Sequence, residues 1–564
     1  MDYIKIYEEW LNNDFFDEDT KNDLISIKGN DEEIKDRFYK GLEFGTAGLR
    51  GKLGAGTNRM NKYMVSKAAQ ALAYTIIDHG KDAVNRGVAI SYDVRYKSKE
   101  FAELTCSIMA ANGIKSYIYK GIRPTPMCSY AIRKLNCMAG VMVTASHNPQ
   151  AYNGYKAYWK EGSQILDDIA GQIANHMDKI ERFEDVKQIS FEEALKSGLT
   201  KYIDESVEED YYKEVLNLTI NDEDLDKKIN VVYTPLNGVG NIPVREILKR
   251  RGFENVFVVT EQEMPDPDFT TVGYPNPEVP KAFAYSERLG KEKDAEILIA
   301  TDPDCDRVAL EVRDKNGEYV FLNGNRIGAL LSYYIFSQRH KNETLPENPV
   351  LVKSIVTGDL SKTIAKKYGV DTVETLTGFK NICGKTNEYD ITKEKNYVFG
   401  YEESIGFCYG TFVRDKDAVG ASMMVVEMAA FYKKQGKSLL DVLEDIYKEF
   451  GYYNERQLSL ELEGIEGQER IKRMMEDFRE NPLKTIGELE LEKIIDFKDG
   501  YLDFPKQNCL KYYLKDGSWY ALRPSGTEPK IKLYIYTIGK LKEESIKKLD
   551  LIENTCKDKM NSVK

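Results

Sequence analysis

The chain has 564 residues, a formal net charge of −12 at pH 7, 42% hydrophobic residues and 30% charged residues. This length predicts about three to five domains, and the composition is typical of a folded globular protein, not a disordered one. No block of Lys and Arg stands apart from nearby acidic residues, which argues against a nucleic-acid-binding surface. A small anionic substrate stays open, because a few converging basic side chains suffice to bind it.

The eight cysteines are scattered without a CxxC pair. This spacing argues against a zinc site and is typical of buried thiols in a reducing cytoplasm. The N-terminus is acidic and amphipathic, unlike a signal peptide, and no run approaches the ~18 apolar residues of a membrane span. We therefore expect a cytoplasmic protein that interacts with neither membranes nor nucleic acids.

The first part of the chain predicts a helical arm followed by an α/β domain. Residues 1–40 are polar with helical patterning, and residues 41–215 alternate between strand-like and helical runs. Strands are predicted at 87–95, 115–121 and 139–146, and a helix at 65–80. Such alternation indicates a sheet with parallel strands.

Three further domains are predicted from residue 216 onwards, and the acidic stretch 221–228 resembles a linker near the start of the first of them. Two are α/β domains, at 216–325 and 326–455, and the last, at 456–564, has the helix and strand order of an α+β domain. The predicted strands lie at 229–240, 255–260, 295–302, 349–358, 371–378 and 396–404, and then within 509–526 and 530–539. Helices are predicted at 467–480 and about 540–560.

Ser146 lies in VTASHNP (143–149), at the end of an apolar strand, where open α/β sheets present their binding loops. From local sequence alone, three interpretations are open: a nucleophile, a helix N-cap or an ordinary turn serine. No GxSxG motif surrounds Ser146, which disfavours a hydrolase-type serine. His147 beside it is either a general base or a polar loop residue.

A second loop, DPDCDR (302–307), also follows an apolar strand and holds Asp302, Asp304 and Asp306. Three adjacent carboxylates repel one another, and a hard divalent cation relieves that repulsion. The favoured interpretation is an Mg²⁺ site completed by phosphate oxygens, and the alternative is a solvated acidic turn. Arg307 is placed to hold the phosphate or to neutralise an Asp.

Two later loops carry candidate substrate ligands. In LRPSGTEP (522–529), a guanidinium, two hydroxyls and loop amides suit a phosphate dianion, although a plain hairpin turn has the same composition. In FGYEESIGF (399–407), the side chains of Glu402 and Ser404 suit sugar hydroxyls, although an exposed acidic loop is an equal alternative. The candidates in the first of these loops, with three from the 377–380 segment, are Arg523, Ser525, Gly526, Thr527, Thr377, Gly378 and Lys380.

Six motifs occur in order along nearly the whole chain: FGTAGLRG (44–51), TASHNP (144–149), NGYK (153–156), DPDCDR (302–307), GYEES (400–404) and RPSGTEP (523–529). Together they resemble the α-D-phosphohexomutase superfamily of phosphoglucomutases and phosphomannomutases. FGTAGLRG and GYEESIGF are most similar to the branch that holds bacterial α-phosphoglucomutases and animal phosphopentomutases. The resemblance implies three α/β domains with mixed sheets and a C-terminal α+β domain, arranged as a heart around a central cleft.

The resemblance also implies residue roles. Ser146 would carry the phosphoryl group, and the three aspartates would bind Mg²⁺ together with an oxygen of that phosphate. Arg50 and Lys156 would serve proton transfer and charge stabilisation, with His147 supporting the loop. Glu402 and Ser404 would bind sugar hydroxyls, and the loop that begins at Arg523 would hold the phosphate distal to the reaction.

The activity implied is interconversion of glucose 1-phosphate and glucose 6-phosphate through glucose 1,6-bisphosphate, in a monomer or weak homodimer. Phosphomannomutase and phosphopentomutase activities are alternatives with the same mechanism. A non-catalytic sugar-phosphate binder and a metal-dependent phosphatase are alternatives from other classes. Some relatives have Gly and then His after the Glu-x-Ser of the sugar loop, whereas Ile405 and Gly406 stand here. This difference bears on sugar selectivity and not on phosphoryl transfer.

Overall fold

The N-terminal arm consists of three short helices that pack on the first sheet domain. A computed structural model describes residues 2–46, 48–462, 464–525 and 530–564. Acidic or amide N-caps begin each helix: Asp17, for example, accepts a hydrogen bond from the amide of Thr20 at 2.9 Å. Trp10 stacks on Phe16 with ring centroids 4.3 Å apart. The helices are α1 (Tyr3–Asn12), α2 (Glu18–Ser26) and α3 (Asp31–Phe38).

The first domain is built on a mixed six-stranded sheet with the order β1-β5-β4-β2-β3-β6. Its elements are β1 (Leu49–Lys52), α4 (Lys62–Asp78), α5 (Lys81–Arg86), β2 (Val88–Tyr92), α6 (Ser98–Ala111), β3 (Ser116–Ile118), α7 (Thr125–Lys134), β4 (Ala139–Val143), β5 (Tyr152–Trp159), α8 (Asp167–Lys179), α9 (Phe191–Lys196), β6 (Thr200–Tyr202) and α10 (Glu205–Leu216). Strands β4, β2, β3 and β6 are parallel, and β5 runs antiparallel between β1 and β4.

The second domain has a mixed five-stranded sheet with the order β11-β10-β9-β7-β8. Its elements are β7 (Val231–Thr234), α11 (Asn241–Arg250), β8 (Val256–Val258), α12 (Thr260–Glu263), α13 (Ala284–Lys293), β9 (Ile297–Thr301), β10 (Val308–Arg313) and β11 (Tyr319–Leu322). Strand β9 is parallel to β7 and antiparallel to β10, so the chain reverses direction at the loop between β9 and β10.

The third domain has a mixed four-stranded sheet with the order β13-β12-β14-β15. Its elements are α14 (Gly324–Lys341), β12 (Pro349–Ser354), α15 (Leu360–Lys367), β13 (Asp371–Thr375), α16 (Phe379–Thr392), β14 (Asn396–Glu402), β15 (Gly406–Tyr409), α17 (Ala418–Lys434) and α18 (Leu439–Phe450). Strand β15 pairs antiparallel with β14, and the segment between them consists of Glu403, Ser404 and Ile405, which are the last two residues of GYEES and the residue after it.

The fourth domain pairs an antiparallel six-stranded sheet with two helices. Its elements are β16 (Tyr452–Glu461), α19 (Gly464–Glu480), β17 (Thr485–Ile486), β18 (Leu489–Asp496), β19 (Leu510–Leu514), β20 (Trp519–Pro524), β21 (Lys530–Gly539) and α20 (Lys542–Ser562). The fold class predicted from the sequence, three α/β domains with mixed sheets followed by an α+β domain, is therefore confirmed.

The four domains share buried apolar packing. One cluster of buried side chains runs from Met127 of the first domain through Val232 and Val352 to Trp519 of the fourth. Such shared packing holds loops from different domains at fixed positions relative to one another. In the part of the chain that the structure describes, no helix has both the length and the apolar character needed to cross a membrane.

Candidate active site

Ser146 lies in a tight turn three residues after the end of β4. Its backbone φ is +52°, a left-handed conformation that non-glycine residues rarely adopt. The amide of Ser146 donates to the Oγ1 of Thr144 at 2.8 Å, and the amide of Asn148 donates to the carbonyl of Ala145 at 3.1 Å. No helix begins at this turn, so the helix-cap interpretation of Ser146 is wrong, and the predicted strand 139–146 ends at Val143.

Arg95 holds this turn by its backbone. One guanidinium nitrogen donates to the carbonyls of Ser146 and Asn148, both at 2.5 Å, and the other donates to those of Pro149 at 2.9 Å and Tyr152 at 3.1 Å. The Oδ2 of Asp93 lies 3.3 Å from the Nε of Arg95, so the carboxylate balances the charge of the guanidinium. A left-handed, buried serine held this firmly is typical of a functional site, where strain persists only if the surroundings fix it.

The three aspartates of DPDCDR follow β9 and face the Ser146 turn. They are at most 1% exposed, and one carboxylate oxygen from each lies within 4.8 Å of the others. The hydroxyl of Ser146 donates to Oδ2 of Asp302 at 2.9 Å. The other oxygen of Asp302 accepts the backbone amides of Asp306 and Arg307, both at 3.0 Å. The structure thus brings the candidate nucleophile and the candidate metal ligands together across two domains.

Two lysines bind the Oδ2 atoms of Asp304 and Asp306. Lys156 of β5 donates to Oδ2 of Asp304 at 2.7 Å and to Oδ2 of Asp306 at 3.4 Å, and Lys416 lies 3.0 Å from Oδ2 of Asp306. The Oδ1 atoms of Asp304 and Asp306 are buried without a hydrogen-bond partner among the described residues. Buried, unsatisfied carboxylate oxygens are the ligand type that Mg²⁺ prefers, so these residues fit a hard divalent cation.

Burial and mutual repulsion perturb the titration of this cluster. Burial, then the neighbouring Asp304 and Asp306 carboxylates, raises the pKa of Asp302 well above its ordinary value. Burial acts to lower the pKa of Lys156, but the two aspartates outweigh it and the pKa is raised. Lys156 is therefore a cation in this arrangement.

His147 and Arg50 lie beside the Ser146 turn. The Nδ1 of His147 is 3.3 Å from the Oγ of Ser146, and its ring has an edge contact with Tyr274 of the second domain. Burial, followed by the charges of Arg307 and Arg50, lowers the pKa of His147 well below its ordinary value. The imidazole is therefore neutral at pH 7. Arg50, on β1, reaches the side-chain oxygen of Asn148 at 3.5 Å.

The loop with the candidate sugar ligands Glu402 and Ser404 contacts the loop that holds the three aspartates (302–307). Arg307 and Gly406 form a backbone bridge, and a guanidinium nitrogen of Arg307 donates to the carbonyl of Ser404 at 3.4 Å. Glu402 is 9% exposed and accepts the amide of Gly378 at 2.7 Å. Burial, then the adjacent Glu403 carboxylate, raises the pKa of Glu402. The alternative interpretation, an exposed acidic loop, is therefore wrong for Glu402.

Arg523 and Thr377 link the fourth domain to the third. A guanidinium nitrogen of Arg523 donates to the hydroxyl of Thr377, and the amide of Ser525 donates to the carbonyl of Lys530 at 2.8 Å. Lys380 lies 3.4 Å from Asp167 of the first domain. The phosphate-clasp candidates Gly526 and Thr527 lie outside the described residues.

Four contact residues escaped the sequence-based prediction: Arg95, Thr125, Lys416 and Glu278, which lies 3.5 Å from Arg307. Lys416 belongs to the run RDKD (414–417), which is typical of a solvated charged turn. All four residues of that run are 1–8% exposed. A charged run beside the sugar loop was the available signal, but Asp306, which contacts Lys416, and Tyr158, which donates to Asp415, lie 110 and 257 positions earlier in the chain.

Models of the phosphoglucomutase/phosphomannomutase family match the chain in four consecutive parts. The alpha/beta/alpha domains I, II and III match residues 41–184, 209–317 and 323–450, and the C-terminal domain matches residues 463–549.

Curated relatives align with this chain over nearly its whole length. A phosphoglucomutase of Staphylococcus epidermidis is 39% identical, covering 94% of this chain and 95% of the relative. One of Staphylococcus aureus is 38% identical, covering 90% and 91%. The solved open form of pp63/parafusin, a phosphoglucomutase from Paramecium, aligns with a TM-score of 0.69 at 19% identity, covering 93% of this chain and 95% of that one, which shows the shared fold. The chain belongs to the phosphoglucomutase/phosphomannomutase family.

Proposed function

We propose that this enzyme is an Mg²⁺-dependent phosphoglucomutase, which interconverts α-D-glucose 1-phosphate and glucose 6-phosphate through phosphorylated Ser146 and glucose 1,6-bisphosphate. The observation that carries the proposal is the hydrogen bond of 2.9 Å from the hydroxyl of Ser146 to Oδ2 of Asp302, which is one of three clustered aspartates. Family membership and relatives named phosphoglucomutase support the choice of glucose.

In the first half-reaction, the free hydroxyl oxygen of the sugar attacks the phosphorus on Ser146. The bond from phosphorus to the Oγ of Ser146 breaks as the new phosphorus–oxygen bond forms. In the net reaction, the proton of the sugar hydroxyl is replaced by the phosphoryl group and a proton returns to the Oγ of Ser146, which becomes a free hydroxyl. The cations Lys156 and Arg50 would stabilise the negative charge that develops during the transfer. The second half-reaction returns the other phosphate of the bisphosphate to Ser146.

Phosphoryl transfer depends on positioning and charge neutralisation more than on covalent chemistry. Asp302, Asp304 and Asp306 would hold Mg²⁺, which neutralises negative charge on the transferring phosphoryl group. Arg95 fixes the turn that presents Ser146, and neutral His147 supports the same turn without adding charge. Arg307 lies next to the triplet and is placed to bind phosphate oxygens.

The other end of the substrate would be held by the third and fourth domains. Glu402 and Ser404 would bind sugar hydroxyls, with Thr377, Gly378 and Lys380 nearby. The loop beginning at Arg523 and Ser525 would hold the distal phosphate. A clamp on a separate domain suits both orientations of glucose 1,6-bisphosphate, which has to turn round between the half-reactions. We further propose a monomer or weak homodimer acting in the cytoplasm.

A coupled assay tests this function directly. Glucose 1-phosphate, Mg²⁺ and a trace of glucose 1,6-bisphosphate are expected to give glucose 6-phosphate, and Ser146→Ala is expected to abolish turnover. Faster turnover of mannose 1-phosphate or ribose 1-phosphate would reassign the substrate, and inorganic phosphate as the main product would indicate a phosphatase. Intact mass spectrometry is expected to show a species about 80 Da heavier in the wild type and not in Ser146→Ala. Full activity of Ser146→Ala would exclude Ser146 as the phosphoryl carrier.

A further inference from the structure

Thr125 of the first domain contacts Asp304 of the second at two points. Its hydroxyl donates to Oδ2 of Asp304 at 2.8 Å, and its amide donates to the backbone carbonyl of Asp304 at 3.0 Å. Both residues are fully buried. Thr125 begins α7, and its hydroxyl makes this contact across 179 sequence positions instead of capping its own helix.

The contact determines which oxygen of Asp304 remains free. Oδ2 accepts both Lys156, at 2.7 Å, and Thr125, at 2.8 Å, whereas Oδ1 has no partner among the described residues. With Oδ2 held from two sides, Oδ1 is the oxygen of Asp304 that has no hydrogen bond, and each of the three aspartates has a carboxylate oxygen within 4.8 Å of the others. Groups that orient a metal ligand in this way alter metal affinity although they do not touch the ion.

Thr125 and Lys156 are not equivalent in this role. Lys156 also contacts Asp306, and in the proposed function it stabilises the phosphoryl group beside Ser146, so several anions share its ammonium. The hydroxyl of Thr125 carries no charge and lies on the first turn of a helix that packs against β2 and β4. Its contact with Asp304 is therefore fixed by the helix and does not depend on the charge of a bound substrate.

We infer that Thr125 is a positioning residue for the divalent cation, which fixes the carboxylate of Asp304 so that Oδ1 faces the ion. This inference rests on the proposed function, because it assumes that the three aspartates bind Mg²⁺. Thr125 belongs to the first domain, whereas the three aspartates all belong to the second. If Thr125 orients Asp304, binding of the cation depends on contact between the two domains.

Metal affinity measured without substrate tests the inference. The full-length protein is treated with a chelator, dialysed and titrated with Mn²⁺ under electron paramagnetic resonance, with Mg²⁺ as competitor. Thr125→Val keeps the side-chain shape and removes the hydroxyl, and we expect it to weaken Mn²⁺ binding by about 10- to 100-fold. Thr125→Ser keeps the hydroxyl and is expected to retain the wild-type affinity.

Thr105→Val is the matched control. Thr105 is also fully buried on a first-domain helix, but its hydroxyl donates to the carbonyl of Phe101 within that helix. We expect its Mn²⁺ affinity to equal that of the wild type. If Thr125→Val does not fold, Thr125→Ala, which removes the hydroxyl without filling the space, carries the same expectation.

Two results would overturn the inference and are distinguishable. Wild-type affinity in folded Thr125→Val or Thr125→Ala would show that Asp304 does not need Thr125, and would leave the proposed function intact. Absence of Mn²⁺ and Mg²⁺ binding by the wild-type protein would remove the metal site itself, and the inference with it.

Discussion

Arg95→Lys tests whether the left-handed turn at Ser146 is held in place for catalysis. The substitution keeps the positive charge opposite Asp93, so it avoids leaving a buried carboxylate unpaired. It removes the planar fork that donates to four backbone carbonyls between Ser146 and Tyr152. Lysine has three donors on one nitrogen and cannot span the same four acceptors.

The size of the expected effect follows from two energies: the hydrogen bonds that hold the turn, and the cost of the left-handed backbone at Ser146. A hydrogen bond from a charged donor contributes about 1.5–3 kcal/mol, so losing two of the four removes about 3–6 kcal/mol. The left-handed backbone of Ser146 costs about 1–2 kcal/mol, so the two lost hydrogen bonds are worth more than the strain that they help to hold. The turn is expected to relax by about 1 Å, and a displacement of that size at a reacting atom lowers the rate roughly 100-fold.

We therefore expect Arg95→Lys to lower kcat for glucose 1-phosphate by about two orders of magnitude with little change in KM. KM is spared because the candidate sugar and phosphate ligands of the third and fourth domains are untouched. The assay is the coupled glucose 6-phosphate assay, with circular dichroism as the folding check. Arg86→Lys is the control, since Arg86 likewise donates to two carbonyls, of Asn136 and Cys137, but lies away from the site. A folded Arg95→Lys enzyme with wild-type kcat would refute the reasoning, as would an effect confined to KM.

Two further predictions concern buried charges. Lys416→Met removes a cation that lies 3.0 Å from Asp306 and 3.2 Å from Asp415; we expect the metal-free protein to lose about 3–5 kcal/mol of stability and Mg²⁺ to restore part of it. An equal loss of Tm with chelator and with Mg²⁺ would contradict this. Glu311 is 2% exposed, and burial, then the Glu287 carboxylate, raises its pKa to about 8. At this residue the folded state then binds more protons than the unfolded state between about pH 4.5 and 8, so the contribution of Glu311 to stability falls as the pH rises through this range. Glu311→Gln is expected to have the same stability as the wild type at pH 4.5. Relative to the wild type it is expected to become more stable as the pH rises to about 8, by at most about 5 kcal/mol. A difference in stability that does not change with pH would argue against the raised pKa of Glu311.

The loops that hold the candidate site could be predicted because each follows a buried strand. Ser146 comes shortly after β4, Asp302 directly after β9, and Glu402 ends β14, and all three strands have apolar runs that the sequence makes visible. In open α/β sheets, binding loops collect at the carboxyl ends of such strands. The position of these residues in the fold therefore followed from local pattern.

The antiparallel strands and the charged contacts were not predictable in the same way. Strand β5 mixes Asn, Gly, Lys and aromatic residues, and only its pairing with β4, which sets Lys156 opposite Met142, explains why that lysine is buried. Lys416 resembles a surface residue because burying a charge is costly unless a partner is supplied. Its partner Asp306 lies 110 positions earlier, a distance that no local periodicity reports.

Backbone strain links the three loops of the site. Ser146, Cys305 and Ile405 all have φ near +50°, one in each of the loops that follow β4, β9 and β14. Each such residue costs about 1–3 kcal/mol, and contacts from elsewhere in the fold offset this cost at Ser146 and Ile405. Arg95 binds the carbonyl of Ser146, and the carbonyl of Ile405 accepts the amide of Val308 from the aspartate loop's own strand β10. The hydroxyl of Ser146 also binds Asp302, so the Ser146 turn, the aspartates and the sugar loop are held in a common geometry, as in-line phosphoryl transfer requires.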